Sequence, residues 1–594
     1  MSHKIYVGSK KVFDPVDYDV AGAAAAAVAS HKSEASPHEA SDVGADPAGA
    51  AAGLVGTLAS LLTTAKTNIV AAVNEVIGYI GTLASLTTTA KSSLVAAVNE
   101  LVTSIGSLAS LTTTAKTSTV AAINELDSQL SAIEKSLENN ANVHYVVWDK
   151  VNATCTRGGA SASVTTTTTN FGHFGSVNAN YSNPFDQFYP WLGRKLCNVD
   201  IATYRSVYAD HGNLLDCVVA WEGDVDFALD GSNGFVGVYT PEFWGLRKEL
   251  AGNKEFLGVS PVEITGWNHY EETIGARWFG VADSTGITSK PGLPVINETM
   301  AAIHARATAY DMTLDDIYTW AADSLLLAVE YATLNTQYAI GSGADAVYVQ
   351  GVRPYVSESA VNRVVMTDAQ SANFRTGVII DIGTSDGGYQ IARRIVTSVE
   401  DYPTDSAYAI VNFDGAPVNV DTAHYVSAHG TSNVEDSNIL STSGYIGTNG
   451  KCNAYYRGRV AHANLWRYVL GAYRQTGNGR IWIAKSRAEA AAYDALNTGV
   501  HTDTGFGLPT TSNYIASLHF GDHLFPFAKT VGGGSDKPVG DYCYVPTLAT
   551  GNTVLRAGGS SNNGADDGRF YGTWALTASS SSWSLSGLPF LKTP

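Results

Sequence analysis

The sequence has few charged side chains and no block of positive charge. Charged residues make up 15% of the chain, and 37 basic residues stand against 55 acidic ones, which gives a formal net charge of −18. Nucleic-acid-binding surfaces need clustered lysine and arginine to contact phosphate. The acidic balance therefore argues against nucleic acid as a partner.

Long apolar runs are also missing. No stretch approaches the roughly twenty apolar residues that a membrane-spanning helix needs, so we expect no membrane insertion. The run Ala21–Ala29 is too weakly apolar for the core of a signal peptide. Together these absences predict a protein that is made in a cytoplasm and is released by another route, such as cell lysis.

Cysteine and catalytic motifs are scarce. The five cysteines are Cys155, Cys197, Cys217, Cys452 and Cys543. Their number is odd and no two form a CxxC pair, which predicts neither a disulfide framework nor a zinc site. His519 and His523 are four residues apart, but Gly521 argues against a helix there and the glutamate of HExxH is missing. With no GxSxG or P-loop motif either, we expect no metal, no cofactor and no enzyme activity.

What the chain does contain in quantity is glycine and tyrosine. It has 594 residues, too many for one hydrophobic core, so several domains are expected. The 58 glycines and 30 tyrosines favour β-rich structure with many loops. Rigid aromatic side chains beside small polar ones are also typical of adaptable recognition surfaces.

A repeat of about twenty-five residues occurs in three copies between Gly56 and Leu130. In each copy, apolar residues at steps of four and three form a heptad seam. The seam residues are Ile69, Val73, Val76, Ile80 and Leu83 in the first copy, Leu94, Val98, Leu101, Ile105 and Leu108 in the second, and Ile123, Leu126, Leu130, Ile133 and Leu137 in the third. Between copies the step is about eleven residues, a heptad plus a four-residue stutter.

A seam this narrow needs a partner helix, and the chain offers none nearby. The pattern therefore predicts self-association as a parallel bundle that forms a stalk, on the order of 110 Å long if continuous. The alternative is three short amphipathic helices separated by Thr-rich, Gly-marked breaks. Because the seam mixes β-branched residues with leucine, it does not choose between dimer and trimer.

The segments around the repeats resemble the shafts of bacteriophage tail fibres and receptor-binding tail proteins. The shared patterns are ASHKSEASPHE (29–39), GADPAGAAA (44–52) and LTTTAKSSLVAAVNEL (86–101). The resemblance implies a homotrimer in the virion, fixed to baseplate or other tail proteins through its N-terminus. Residues 1–53 would then be the attachment head and linker, and 54–140 the repeat coiled-coil stalk.

Residues 141–350 are predicted to form the first part of an α+β head. DGSNGFVGVYTPEFW (Asp230–Trp244) reads as a turn that feeds a strand at Phe235–Tyr239, and it resembles a signature of phage tail proteins with a C-type-lectin-like head. The nearby Asp224, Asp226 and Asp230 do not follow EF-hand spacing, which favours a solvated acidic loop over a calcium site. Further on, Thr313–Asp316 predicts a helix N-cap. The apolar stripe that follows contains Ile317, Ala321, Leu325, Ala328 and Ala332, with Trp320 and Tyr331 as extensions.

Residues 351–430 contain three runs typical of strands, FRTGVIIDIGT, ARRIVTSVEDY and AYAIVNFDG. These runs predict a small β module inserted into the head. Its acidic residues are scattered, and no pair has a spacing that predicts acid–base catalysis.

Residues 431–594 are predicted to complete the head. YYRGRVAHANLWRYVLG (Tyr455–Gly471) resembles a segment shared by C-type-lectin-like phage proteins and formylglycine-generating enzymes. The stretch from Val554 to Leu591 is similar to the C-terminal ligand face of that family, although Pro589 stands near the family's usual arginine. The matching framework residues are Gly558, Gly559, Gly564, Gly568, Phe570, Gly587 and Leu591.

Glycine permits turns with positive φ and close approach of the backbone, which are the roles predicted for these glycines. Polar and aromatic residues lie between them. In the family's retroelement-diversified members, the exposed residues at these places contact the receptor, so the resemblance implies the same here. The predicted receptor-binding residues are Asn562, Asn563, Asp566, Asp567, Arg569, Tyr571, Thr573, Trp574 and Trp583. The alternative is a Gly/Ser-rich surface loop in which Trp574 and Trp583 are buried.

Three functions fit these patterns. The first is a phage receptor-binding protein that recognises a glycan or a protein on the host surface through its C-terminal tip. The second is a tail-associated depolymerase, since glycoside hydrolysis needs only two suitably placed carboxylates among the 55 acids. The third is a purely structural virion protein.

Overall fold

The computed structural model describes residues 5–7, 10–13, 63–64, 69–80, 87–89, 92–105, 118, 142–165, 184–250, 253–341, 348–433, 453–491, 499–520, 525–534, 539–545 and 552–593. The chain divides into two compact units. One comprises Ala21–Ala141, and the other comprises Met1–Val20 with Asn142–Pro594. At the start of the chain, strands β1 (Ile5–Val7) and β2 (Lys10–Phe13) pair antiparallel.

The repeats form two short helices in the described residues. Helix α1 is Ile69–Ile80 and helix α2 is Leu94–Ile105. Residues 87–89 are bends, so no continuous helix joins α1 to α2. Self-association of the repeats stays a prediction. The helix predicted for the third copy lies outside the described residues.

A threonine before each helix bonds back to a glutamate within it. The backbone N–H and the hydroxyl of Thr64 both donate to Glu75 Oε1, at 2.7 and 2.6 Å. One repeat later, Thr89 donates to Glu100 Oε1 in the same way, at 2.8 and 2.7 Å. The same threonine-to-glutamate contact therefore occurs in both described copies of the repeat.

The described part of residues 142–341 contains twelve strands and four α-helices. The strands are β3 (His144–Asp149), β4 (Thr154–Gly159), β5 (Lys195–Val199), β6 (Val218–Trp221), β7 (Phe235–Thr240), β8 (Phe243–Leu250), β9 (Lys254–Ser260), β10 (Asn268–Tyr270), β11 (Thr273–Ala276), β12 (Val281–Ala282), β13 (Ile287–Thr288) and β14 (Thr313–Leu314). The α-helices are α3 (Ile201–Ala209), α4 (Met300–Thr308), α5 (Ile317–Tyr331) and α6 (Thr336–Ile340). Strand β7 confirms the strand predicted at Phe235–Tyr239.

Helix α5 is buried on almost every side. Asp316 caps it, since the Asp316 side chain accepts a hydrogen bond from the N–H of Thr319, as the N-cap pattern predicts. The predicted stripe is buried up to Ala328, but so are the polar residues Asp323 and Glu330 on the other faces. A helix that buries acids needs cationic partners, which come from strands far away in the sequence.

Residues 348–433 form a β module with its own hydrophobic core. Its strands are β15 (Tyr348–Val352), β16 (Glu358–Val361), β17 (Arg363–Thr367), β18 (Val378–Gly383), β19 (Ala392–Asp401), β20 (Tyr408–Phe413), β21 (Val418–Val420) and β22 (Tyr425–Thr431), with the short helix α7 (Asp368–Ser371). The main sheet has the order β15-β22-β18-β19-β20-β17. Because the first and last strands, β15 and β22, pair antiparallel, the chain enters and leaves the module side by side.

Most of the remaining strands belong to one large mixed sheet. The remaining strands are β23 (Ala454–Tyr456), β24 (Arg459–His462), β25 (Trp466–Arg474), β26 (Arg480–Ala484), β27 (His501–Gly507), β28 (Asn513–Phe520), β29 (Pro526–Val531), β30 (Tyr542–Tyr544), β31 (Thr553–Gly558), β32 (Gly568–Thr573), β33 (Leu585–Ser586) and β34 (Pro589–Leu591), and helix α8 is Arg487–Ala491. The sheet order is β27-β26-β25-β31-β32-β30-β28-β29, with β33 on β25. In this sheet β30 pairs with β32 and β33 with β25 in parallel.

The two sequence segments that flank the module share one core. Strand β34 lies between β14 and β11, so the last strand of the chain completes a sheet made from residues 195–314. Pro589 lacks a backbone N–H and stands at the first position of β34, where a strand tolerates it. One cluster of buried apolar side chains extends from Val146 to Leu591.

Candidate functional site

The predicted receptor-binding segment starts at the end of β31 and continues through β32. Gly558, Gly559 and Gly564 have φ of 99°, 81° and 60°, a region that side chains with a Cβ rarely adopt. Gly568 is required for a different reason, since a Cβ there would lie 2.1 Å from Oδ1 of Asp541. Positive φ and close backbone approach, the two roles predicted for these glycines, are both present.

Most of the side chains predicted to form the face point inward. Arg569 and Trp574 are each 1% exposed, and Tyr571 and Thr573 are each 3% exposed. Asp567 is fully buried. The expectation that these five side chains are exposed is therefore corrected: in the folded chain they pack in the interior. Arg569 finds ionic partners there, and Tyr571 and Trp574 find aromatic ones.

Arg569 belongs to a buried cluster of charges around Asp323 of helix α5. The Asp323 carboxylate contacts Arg194 through Oδ1, and its Oδ2 lies 2.9 Å from Nη1 of Arg459 and 3.6 Å from Nη2 of Arg569. Arg459 also bonds Asp315 at 2.7 Å, and Arg467 bonds the same carboxylate at 3.1 Å. The side chains form a network that we call the Asp323 cluster: Arg194, Asp315, Asp323, Arg459, Arg467 and Arg569.

The guanidinium of Arg569 uses its remaining donors on the backbone of α5 and β24. Its Nη2 donates to the carbonyl of Trp320 at 3.0 Å and its Nη1 to that of Ala461 at 3.3 Å. Burial raises the pKa of Asp323, but the charges of Arg194, Arg459 and Arg569 outweigh burial and hold that pKa well below its usual value. The carboxyl group of Asp323 is therefore ionised, and its contact with Arg569 holds β32 against the core.

The aromatic residues of the segment pack between strands. The ring of Tyr571 meets that of Trp466 edge to face at 4.6 Å between centroids. Trp574 lies 5.9 Å from Phe527, and the indole N–H of Trp320 donates to the carbonyl of Arg569 at 3.2 Å. These contacts hold β32 against β25, β29 and α5, so the aromatic side chains serve packing here.

Two buried carboxyl groups lie behind the loop. Asp541 accepts the N–H of Phe570 at 2.6 Å and the hydroxyl of Thr336 at 3.2 Å. Asp567 has no hydrogen-bond partner of normal geometry on either oxygen. Burial raises the pKa of both groups well above the usual value, and each lacks a cationic partner that would oppose the shift.

The side chains of the segment that do reach solvent lie in the loop between β31 and β32. Asn562 is exposed, and Asn563 and Asp566 are partly exposed. The hydroxyl of Ser560 donates to the side-chain oxygens of Asn562 and Asn563, at 2.6 and 2.8 Å, which fixes the loop. Receptor contact by this segment stays a prediction, and these three side chains are the ones in position to make it.

Trp583 is only partly buried and lies against the inserted module. Its ring stacks on His429 of β22 at 4.6 Å with an angle of 22°. His429 in turn bonds the buried Asp381 at 2.9 Å. Trp583 therefore connects the C-terminal segment to the module, a role that the sequence did not indicate.

The Tyr455–Gly471 motif holds the head together internally. Arg457 is fully buried, and its guanidinium donates hydrogen bonds to both carboxylate oxygens of Glu330, at 2.7 and 2.8 Å. The hydroxyl of Tyr456 donates to the same carboxylate. His462 is also buried, and burial lowers its pKa to about 3, so its ring is neutral. Sequence reasoning missed the acidic partners Asp323 and Glu330, although acids inside the apolar run ADSLLLAVEY are a signal for such pairing.

The other sequence candidates have local structural roles. Asp224 and Asp230 accept backbone N–H groups of their own turns, from Trp221 and Ser232. His519 stacks on Phe506 at 4.2 Å, and its predicted neighbour His523 lies outside the described residues. Within the described part of the chain, no three His, Cys, Asp or Glu side chains are grouped to hold a metal ion, and the four cysteines found there are free.

No family model matches the chain, and no curated protein matches it. Among the helices of the described residues, none is both long and apolar enough to cross a bilayer.

Proposed function

We propose that the protein is a bacteriophage tail fibre that binds a receptor on the host surface through a C-type-lectin-like C-terminal head. In this proposal the repeats form a parallel homotrimeric stalk, and the N-terminal residues attach the trimer to the tail. The protein would act in the virion by binding and not by catalysis.

The observation that carries the proposal is the unpaired apolar face of the repeat helices. Val73 and Val76 of α1 are 47% and 43% exposed, and Val98 and Leu101 of α2 are 46% and 49% exposed. These are the seam positions of two successive copies. A helix that is taken alone out of a helical bundle is expected to expose apolar side chains at the same positions of successive repeats.

The loop at the end of β31 supports the binding role. It presents small amide and carboxylate side chains, Asn562, Asn563 and Asp566, on a backbone fixed by glycines with positive φ and by Ser560. The buried Asp323 cluster and Trp574 hold the loop's base without taking part in contact. A trimer would present three such loops together, so weak individual contacts would gain avidity.

Adsorption to host cells tests the proposal. The full chain should bind whole cells and compete with phage, and removal of surface glycans distinguishes a glycan receptor from a protein one. Changing Asn562, Asn563 and Asp566 to alanine together should weaken adsorption at least ~10-fold, since few contacts usually dominate an interface. The melting temperature should change little because Asn562 is exposed and Asn563 and Asp566 are partly exposed.

The matched control changes Asp405→Ala, an exposed acid on a turn of the inserted module. It should adsorb like the unmodified protein. A folded triple variant that adsorbs normally would remove this loop from the receptor site, and a full chain that binds no cell that the phage infects would refute the proposal itself.

A further inference from the structure

A cleft lies beside the N-terminus of α5 and shares no lining residue with the loop just described. Its volume is about 490 Å³, which lies within the range of small-molecule sites. Helix α3, the loop before β11, the start of α5, helix α8 and β34 all contribute to its walls. The lining residues used below are Tyr208, Glu271, Asp316, Arg487, Lys592 and Thr593.

Three polar atoms in the cleft lack hydrogen-bond partners among the described residues. They are Oδ2 of Asp316, Nη1 of Arg487 and Oγ1 of Thr593. Asp316 is fully buried, and its other oxygen already caps α5 by accepting the N–H of Thr319 at 2.8 Å. Buried polar atoms are normally satisfied, so an acceptor, a cationic donor and a hydroxyl left open around one cavity point to a bound polar ligand.

The charged side chains that line the cleft are equal in number for the two signs. Arg487 lies between the two acids, with Nε 3.6 Å from Asp316 and Nη1 3.9 Å from Glu271, too far for good hydrogen bonds. Lys592 supplies the second positive charge. Two acids and two bases give no net preference for an anion or a cation, so the ligand that suits them carries hydroxyl groups that both donate and accept.

An aromatic wall completes the cleft. Lys592 Nζ lies 5.5 Å from the centre of the Tyr208 ring, and Arg487 lies 5.5 Å from the centre of the Phe590 ring. The ring of Tyr208 is partly exposed. Carboxylates and cations beside an aromatic face are chemically complementary to a pyranose ring, which has hydroxyl groups at its edge and C–H groups on its faces.

We infer that this cleft binds a neutral saccharide, one or two pyranose units in length. The inference rests on the proposed function and deepens it, because a saccharide subsite would make the receptor a glycan. In the complex, sugar hydroxyls donate to Asp316 and Glu271 and accept from Arg487 and Lys592. The Tyr208 ring packs against one face of the sugar.

Saturation-transfer NMR on the full chain tests this inference directly. The probes are the neutral methyl glucoside, galactoside and mannoside, with maltose and lactose, and the acidic probes are glucuronic acid and N-acetylneuraminic acid. We expect transfer to at least one neutral probe. Tyr208→Ala combined with Lys592→Ala should lower its affinity at least ~10-fold, because aromatic and cationic contacts usually dominate small sites.

Glu271→Gln provides a second variant that keeps the fold, since the side chain of Glu271 is 55% exposed. It should also weaken binding, whereas Lys485→Ala, next to α8 but outside the cleft lining, should not. Unchanged affinity in both cleft variants, binding of acidic probes alone, or transfer to no probe would each overturn the inference.

Cell adsorption measured on the same samples separates the two proposals. If the protein adsorbs to cells and no neutral saccharide binds, the cleft inference fails while the receptor-binding proposal stands. If a saccharide binds in the cleft and the protein adsorbs to no cell, the proposed function fails while the saccharide site stands.

Discussion

The repeat helices and the C-terminal segment place their side chains in opposite ways. In α1 and α2, large apolar side chains such as Val98 and Leu101 are nearly half exposed. In β32 and the residues after it, polar and aromatic side chains such as Arg569 and Trp574 are buried. Within the described residues, the apolar face of α1 and α2 is left about half uncovered, whereas Arg569 and Trp574 are enclosed by other parts of the head.

The difference shows what each region needs in order to be stable. Twelve-residue helices are marginal on their own in water, so α1 and α2 need further packing in order to be stable. The C-terminal segment depends on residues hundreds of positions away, since Arg569 and Trp320 are 249 residues apart. The following predictions test this contrast, from the largest expected effect to the smallest.

Removing the central acid of the Asp323 cluster should have the largest effect. Asp323→Ala leaves Arg194, Arg459 and Arg569 buried without their shared anion, and breaking a buried ion pair in this way costs about 3–5 kcal/mol. Chemical denaturation of the full chain measures the loss.

The matched control is Arg205→Ala. Its ion pair with Asp311 is exposed, with side-chain exposures of 51% and 39%, so the change should cost less than about 1 kcal/mol. Equal losses in the two variants would contradict the distinction between buried and exposed pairs.

Truncating the buried indole should come next. Trp574→Ala removes packing against Phe527 and leaves a cavity, at a cost of about 3–5 kcal/mol. Adsorption by the protein that remains folded should be normal, because Trp574 does not reach solvent. Loss of adsorption with an unchanged melting temperature would instead make Trp574 a contact residue.

Charged side chains at the exposed seam positions should dissociate the helices of the stalk. Val98→Asp with Leu101→Asp places like charges where the helices would meet, and such charges have no partner in an apolar interface. We expect the mass of residues 53–140, measured by light scattering, to fall from that of a trimer to that of a monomer. Asn99→Asp on the same helix adds charge at an exposed polar position and should leave the mass unchanged, while a monomer before any substitution would refute the stalk.

The smallest effect concerns the pH dependence of the head. The raised pKa of Asp567 means that its contribution to stability is complete below the unfolded value of about 3.9 and is lost as pH rises through the folded pKa. Asp567→Asn removes this titration, so it should raise the melting temperature at neutral pH and flatten its decline above pH 4. A variant whose melting curve keeps the full pH dependence would show that Asp567 does not titrate in this range.

Local patterns predicted local structure well. The Asp316 N-cap and helix α5, the strand at Phe235, and the glycines with positive φ all follow from the residues themselves and their immediate neighbours. The same reasoning placed Arg569, Tyr571 and Trp574 on the surface, because polar and aromatic residues between glycines are typical of loops. Their burial depends on cores and charges that no local pattern contains.

The sequence by itself determined the repeat, its apolar seam and the acidic balance, since each depends on spacing or on composition. Only the tertiary structure decided which polar side chains are buried, because an arginine such as Arg569 enters a core only where distant residues neutralise it. The tertiary structure also joined Asp316, Arg487 and Lys592 around one cleft. These residues lie on elements far apart in the chain, and their proximity comes from the packing of the sheets.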